Sequence, residues 1–412
     1  MSPTDQQVVI FVPGTMGSEL EKDGDNVWPG DPILDWLMNY SKLPELMTPV
    51  LDATDIWRNF VYGLLPIYDP LIDDLEACGF SESATPEPTL YTCPYDWRRP
   101  LQDTTSALES VVAKVRSDHG AGVDIILIGH SQGGLLCRYF LESGLYDATP
   151  GHGNVRQLIL LGVPNLGAPL MLSLARGDRD YVNLDAGQIR QLLNTDGLAF
   201  AYLMLPAPSA GKVWRNDGAL PWERYDLFTW PQASAVGLTS SANHNSAVAY
   251  RNALDGGTRP PGVRYFSLVG TRKKTCTGII VDTAGGAPTL AVEEIERDDG
   301  GDGTVPLWSG WLAGEQGLAV GGQHSMLYLD ATVRNALKVL LGCQSSQSME
   351  ARTDLELDLG QLVFALGDPI EAAVRIGAAT QQAPLYLTLW KAELDPANKT
   401  GRFRSVGKWS LE

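Results

Sequence analysis

No stretch of this sequence approaches the roughly 20 consecutive apolar residues a membrane-spanning helix needs, which points away from a helical membrane protein. Cysteine is scarce. Its five copies, Cys78, Cys93, Cys137, Cys276 and Cys343, are too scattered for a disulfide framework, and no Cys-x-x-Cys pair offers a zinc site, so no metal or other cofactor is expected. Cys78 and Cys93 flank one short loop and could bridge in an oxidising compartment, although a helix-end and a strand cysteine are more often simple core residues. Positive charge is also in deficit: 31 Lys and Arg against 49 Asp and Glu give a formal charge of -18. That argues against nucleic acid as a partner and against bulk electrostatic docking on anionic membranes, with Arg272-Lys273-Lys274 a local exception. The first residues, MSPTDQQVVIFVPG, lack the basic segment of a signal peptide and lead into a short apolar run. They read as a first strand of a chain that is cytoplasmic, or mature, or exported without such a mark.

What is present is ordinary globular composition, 44% hydrophobic and 19% charged, enough for one large domain and a small one. Gln7 to Pro13 reads as a strand, followed by the loop Val12-Pro13-Gly14-Thr15-Met16-Gly17-Ser18. Asp69 as N-cap, Pro70 at the first helical position and Gly79 past the end mark a helix. Another runs from about Thr104 to Asp118, with Leu108, Val111, Val112 and Val115 on one face. Val123 to Ile128 and Val155 to Leu161 are continuous Leu and β-branched runs, as in strands buried on both faces. Arg264 to Val269 returns to strand, and Asp330 caps a last helix through Val333, Leu337 and Leu340, closed by Gly342. Alternating short strands and amphipathic helices predict an α/β fold with a mostly parallel central sheet. The pattern lapses over residues 171–262, a long polar and aromatic stretch that reads as an inserted cap. After the polar linker Ser345 to Ser348, period-two alternation in Leu355-Glu-Leu-Asp-Leu and Leu385-Tyr-Leu-Thr-Leu-Trp predicts a small β-rich module, residues 346–412, behind a core of residues 1–345.

One site stands out within this frame. Residues 125 to 136, IILIGHSQGGLL, place Gly-x-Ser-x-Gly between an apolar strand and a helix with Leu135, Leu136, Tyr139 and Phe140 at helical spacing. Strand, sharp turn and helix make a nucleophile elbow, with Gly129, Gly133 and Gly134 removing Cβ atoms where strand and helix must approach. Ser131 is then the candidate nucleophile. A serine needs a base and an acid, which follow it in the order acid then His in such folds. His119 precedes Ser131 and His130 adjoins it, facing the wrong way in an elbow. Of His152, His244 and His324, only His324 sits on a tight loop just before the last core helix. Upstream, Asp298-Asp299-Gly300-Gly301-Asp302-Gly303-Thr304-Val305-Pro306 offers the acid. Asp302 is preferred because Thr304-Val305-Pro306 anchors it to an apolar segment. Oxyanion donors are expected from the backbone of Gln132 and from the early loop, with Thr15 ahead of Met16.

These residues, with Pro94-Tyr95-Asp96-Trp97-Arg98, Pro164 and Gly167, resemble the lecithin:cholesterol acyltransferase and lysosomal phospholipase A2 family over roughly residues 7 to 342. The resemblance implies an α/β-hydrolase that cleaves an acyl chain from a glycerophospholipid and passes it to water or to a lipid alcohol. It implies Ser131, Asp302 and His324 as triad and Thr15 and Gln132 as oxyanion donors. Trp28 to Trp57 would stand where the family has its membrane-binding segment and lid, and Trp36, Leu37, Met38, Leu43, Leu46 and Met47 have the spacing of an amphipathic helix. Met16, Trp97, Trp36 and Leu37 are candidate substrate contacts, and a lipid ester is the expected partner. Gln132 stands where the family more often has Met, Trp28 to Trp57 has no cysteine pair, and the C-terminal module has no counterpart in the animal enzymes. A carboxylesterase for soluble or neutral-lipid esters is the alternative with the same triad, and a non-catalytic lipid-binding protein on the same scaffold is a second.

Overall fold

Six strands, β1 (Gln7–Val12), β2 (Leu90–Thr92), β3 (Asp124–His130), β4 (Val155–Leu161), β5 (Arg264–Thr271) and β6 (Gln316–Gly321), form one sheet in the computed structural model. Their order is β6-β5-β4-β3-β1-β2 and every pairing is parallel. Side-chain alternation explains why. Val8, Ile10 and Val12 enter one apolar cluster and Val9 and Phe11 another, while β3 divides Ile125 and Leu127 from Ile126 and Ile128 in the same way. Strands with both faces buried need helices on both sides, which is the α/β architecture the sequence predicts. The structure describes residues 7–30, 40–60, 65–182, 184–284 and 289–343, with the backbone of strands at 355–358, 373–376, 385–395 and 400–411.

The helices used below are α1 (Asp69–Ala77), α2 (Leu101–His119), α3 (Gln132–Glu142), α4 (Leu170–Arg176), α5 (Ala186–Leu193), α6 (Phe200–Leu203), α7 (Ser241–Gly256) and α8 (Ala331–Leu340). Asp330 caps α8 as expected, its carboxylate accepting from the amides of Thr332 and Val333. In α1 the cap is Tyr68, one residue earlier than expected. Asp69 is already helical, and its side chain accepts from Asn59 instead. Helices α1 and α8 share one face of the sheet, where Leu71 and Leu75 join Val333 and Leu337 in one cluster. Arg334 reaches Asp74 across this contact with two bonds, 2.5 and 2.6 Å.

Cys78, just past α1, is disulfide-bonded to Cys343, just past α8, with their Cα atoms 5.4 Å apart. This corrects the suggested pairing with Cys93, whose thiol is free and fully buried beside β2. The Trp28 to Trp57 stretch departs from expectation too. Trp28, Leu43, Leu46 and Trp57 are all buried in the larger core cluster, so these four side chains pack inward and do not face lipid. Trp36, Leu37 and Met38 lie outside the described residues. Between 171 and 262 the polar sequence conceals α5, α6 and α7, with a carboxylate cap at Asp185 and a hydroxyl cap at Ser240. A second sheet, missed in the sequence, joins Glu223–Arg224, Val213–Asn216, Lys273–Asp282 and Ala291–Gly301. The period-two segments form two antiparallel pairs, Leu355–Asp358 with Ala373–Ile376 and Leu385–Asp395 with Thr400–Leu411. No helix among the described residues is long and apolar enough to cross a membrane.

Candidate active site

The carboxyl ends of parallel strands converge on one cavity, the usual place for a ligand in such sheets. Ser131 follows β3 directly, with φ 50° and ψ -124°, a conformation that non-glycine residues adopt only when their surroundings enforce it. Close packing enforces it here. A Cβ on Gly133 would lie 2.2 Å from the carbonyl oxygen of Pro13 and 2.4 Å from that of Val12, so only glycine lets α3 start against the β1 loop.

His324 begins the turn between β6 and α8, and its Nε2 lies 2.9 Å from Ser131 Oγ. Its Nδ1 lies 2.8 Å from Asp302 Oδ2. The other oxygen of Asp302, Oδ1, accepts from the amides of Thr304 at 3.0 Å and Val305 at 2.7 Å. With Asp302 fully buried and acceptor-only, the imidazole proton belongs on Nδ1, which turns the Nε2 lone pair toward the serine hydroxyl. The structure thus brings Ser131, His324 and Asp302 into one hydrogen-bonded chain. Asp298 and Asp299 are exposed, on the preceding strand. His119 and His244 bond elsewhere, to the carbonyls of Pro88 and Leu227. His152 lies in a one-turn helix beside Phe140.

Thr15 and Met16 line the cavity from the β1 loop, and Met16 carries a positive φ of 63°. Thr15 Oγ1 donates to Gln132 Oε1 at 2.9 Å, tying the two expected donor residues together. Gln132 opens α3, so its amide has no acceptor within the helix. Trp97 does not line the cavity. Its indole is fully buried, edge-on to Trp28 and Phe200, and its carbonyl accepts from Gln132 Nε2 at 3.0 Å. It supports the wall from behind, which corrects its reading as a substrate contact.

The Pro94 to Arg98 motif is a buried brace. The fully buried guanidinium of Arg98 pairs with Asp96 at 2.6 Å and donates to the carbonyls of Leu46 and Thr48. Tyr95 takes Ser18 Oγ through its amide at 3.1 Å. One short segment therefore fixes the chain after β1, the segment around Leu46 and Thr48 and the start of α3.

The cavity measures about 730 Å³, within the range of small-molecule sites. One side is polar, with Thr15, Ser131, Asp302, Thr304 and His324. The other is apolar, built by Ala168, Met171 and Leu174 around α4, Ile189 of α5, Phe200 of α6 and Met204. Two further residues escaped sequence reasoning. Gly270 in β5 is where a Cβ would lie 2.4 Å from Asp302 Cβ, so the missing side chain makes room for the acid. Tyr68 lines the cavity beside His130. A glycine inside a strand is a recognisable sign of close approach, whereas nothing in the sequence separates Tyr68 from the other tyrosines.

A parallel sheet with helices on both faces, carrying a serine elbow, a histidine and a buried carboxylate at its strand ends, defines the α/β-hydrolase class. Residues 50–251 match the family model described as lecithin:cholesterol acyltransferase. Among solved structures, a chain of the Tle4–Tli4 complex is similar over 82% of this chain and 99% of its own, with 15% identity and a TM-score of 0.54, a likeness of fold. Bacillus licheniformis lipase BlEst2 in its mature form is 12% identical over 82% of this chain and 94% of its own, with a TM-score of 0.36. No curated protein matches the chain in sequence.

Proposed function

We propose that the protein is a serine-dependent acyl hydrolase of lipid esters, of lipase or phospholipase A type, able to pass the acyl group to an alcohol as well as to water. The observation that carries this is the chain Ser131, His324, Asp302 at the foot of a cavity walled on one side by apolar side chains. In this reading Ser131 Oγ attacks the ester carbonyl while its proton passes to His324 Nε2, and Asp302 holds the resulting imidazolium. The amides of Gln132 and Thr15 receive the charge on the carbonyl oxygen. As the tetrahedral intermediate collapses, His324 returns the proton to the departing alkoxide, leaving an acyl-enzyme on Ser131. Water or a second alcohol then gives its proton to His324 and attacks the acyl carbon, and as the second tetrahedral intermediate collapses His324 passes that proton to the departing Ser131 Oγ. The apolar wall of Met171, Leu174, Ile189, Phe200 and Met204 suits an acyl chain.

Residues 1–345 are taken as the catalytic unit and 346–412 as a separate β module, and the substrate is taken to be met at a lipid surface. The Cys78–Cys343 bridge favours an oxidising compartment over the cytoplasm. The deciding experiment treats purified protein with a fluorophosphonate probe, and with mixed liposomes with and without a long-chain alcohol, products being identified by mass spectrometry. Ser131 should be labelled, and Ser131→Ala should lose labelling and turnover together. Labelling that persists in that variant refutes the assignment. Turnover confined to short soluble esters moves the substrate to that class.

A further inference from the structure

His130 and Tyr68 have no part in the proton transfers above, yet both are buried and both border the cavity. The amide of Gly14 donates to the Tyr68 hydroxyl at 3.0 Å. That hydroxyl lies 2.7 Å from His130 Nδ1, and His130 Nε2 lies 3.1 Å from the carbonyl oxygen of His324. The two ends of this chain are backbone groups with one role each, since an amide can only donate and a carbonyl can only accept. With a neutral ring, every direction follows. Tyr68 accepts from Gly14 and gives its one proton to Nδ1, so the His130 proton is on Nε2 and points at His324.

We propose that Tyr68 and His130 are positioning residues that clamp the loop carrying Thr15 to the turn carrying His324, keeping oxyanion donors and base in one register across Ser131. The proposal rests on the acyl-transfer reading of Ser131, His324 and Asp302. His324 is otherwise held by its amide, which donates to the Asp302 carbonyl at 2.8 Å, and by its ring contacts. The bond from His130 fixes the remaining backbone group. Tyr328 packs edge-on to His130 and tilted against Tyr68, and donates to the Ile67 carbonyl at 2.7 Å.

A neutral His130 gives the Tyr68 proton an acceptor, which the charged ring would take away. Burial, with the neighbouring His324 ring, holds its pKa down to about 3, while burial raises that of Tyr68, so the phenol keeps the proton it donates. The titratable groups facing the His130 ring are Tyr68, Tyr328 and His324. Its neutrality matters because the ring centres of His130 and His324 are 5.3 Å apart. A second positive charge there would oppose the imidazolium the reaction forms.

Tyr68→Phe removes one oxygen, leaving the Gly14 amide without its acceptor and Nδ1 without its donor. On a short soluble ester, kcat per titrated active site should fall about 10- to 100-fold, the scale of a small misplacement of catalytic groups, with KM within about twofold. Fluorophosphonate labelling of Ser131 should slow by the same factor. Tyr91→Phe, which loses a hydroxyl bonded to Asp118, serves as control and should keep the wild-type rate. His130→Gln retains an N–H for the His324 carbonyl and should be less impaired than His130→Phe. The Tyr68→Phe/His130→Phe pair should be no slower than the worse single variant, as expected for one unit. Unchanged kcat in Tyr68→Phe, even with a lower Tm, overturns the clamp, and so does a fully multiplicative double variant. A wild-type protein that Ser131-directed probes leave unlabelled overturns the acyl-transfer reading itself and takes the clamp with it.

Discussion

Replacing Asp302 by Asn changes one atom and tests the acid assignment against its neighbours. Asp302 Oδ1 accepts two backbone amides, from Thr304 and Val305. An asparagine must keep its carbonyl oxygen there, because turning the amide nitrogen that way would set donor against donor twice and leave two buried N–H groups unpaired, at about 1–3 kcal/mol each. The side-chain NH₂ is thereby forced to the former Oδ2 position, 2.8 Å from His324 Nδ1. Facing a donor, Nδ1 becomes the lone-pair nitrogen, and the proton moves to Nε2, pointed at Ser131. The ring can no longer accept the serine proton, and no positive charge is stabilised. The loss expected in kcat is on the order of 10⁴-fold, the magnitude known for this exchange in a serine protease, or about 5.5 kcal/mol at 1.36 kcal/mol per decade. Because size and packing are preserved, thermal unfolding should stay close to wild type. The assay is turnover of a short chromogenic ester, normalised to folded protein and run beside Asp298→Asn and Asp299→Asn, whose exposed side chains predict rates within about twofold of wild type. A loss of less than tenfold at 302, or a crippling loss at 298 or 299, refutes the assignment.

The Arg98 brace gives a stability prediction: Arg98→Met strands the buried Asp96 carboxylate and two carbonyls, and should lower unfolding free energy by about 3–5 kcal/mol. Denaturant titration reads this directly, and a change below about 1 kcal/mol contradicts it. Cys343→Ser should cost about 2–5 kcal/mol by freeing a long loop in the unfolded chain. Reductant should shift the mobility of the wild-type protein on a denaturing gel and leave that of the variant unchanged. His130 sets a pH dependence of stability. Its folded pKa of about 3 lies below the ordinary value near 6.5, so between those values the unfolded chain binds a proton that the folded chain does not. Its contribution is complete above about pH 6.5 and is lost as pH falls toward 3, at up to about 1.4 kcal/mol per pH unit. His130→Gln should flatten this part of the curve, and identical slopes would show that other groups govern it.

Much of this was legible in the sequence because it depends on near neighbours. The continuous apolar run Val8 to Val12, the turn glycines around Ser131 and the Asp330 cap are local patterns, and each appears where the pattern places it. His324 and Asp302 could be nominated by chain order together with the loops they stand on, and their geometry then follows from the fold. What could not be read depends on distant partners. Tyr68 meets His130 across 62 residues, and Cys78 meets Cys343 across 265. Leu43 and Leu46 counted toward a lipid-facing helix because burial in a protein core and burial in a membrane make the same demand on composition. Helices α5 and α7 were hidden by polar outer faces, α6 by being a single buried turn, and the second sheet by the exposed, acidic side of Ala291–Gly301.

The position of β1 has a consequence for synthesis. It lies in the sheet between β2 and β3, with Val8 to Val12 wholly buried, yet its partners begin only at residues 90 and 124. At about 5–20 residues per second, the ribosome delivers β3 on the order of ten seconds after β1 has emerged. Throughout that interval the segment Gln-Val-Val-Ile-Phe-Val has two unpaired edges and no charge of its own to keep it from other strands. The same residues that anchor the loop of Thr15 in the finished protein are therefore, in the nascent chain, a segment exposed to aggregation and a natural place for a chaperone to hold it.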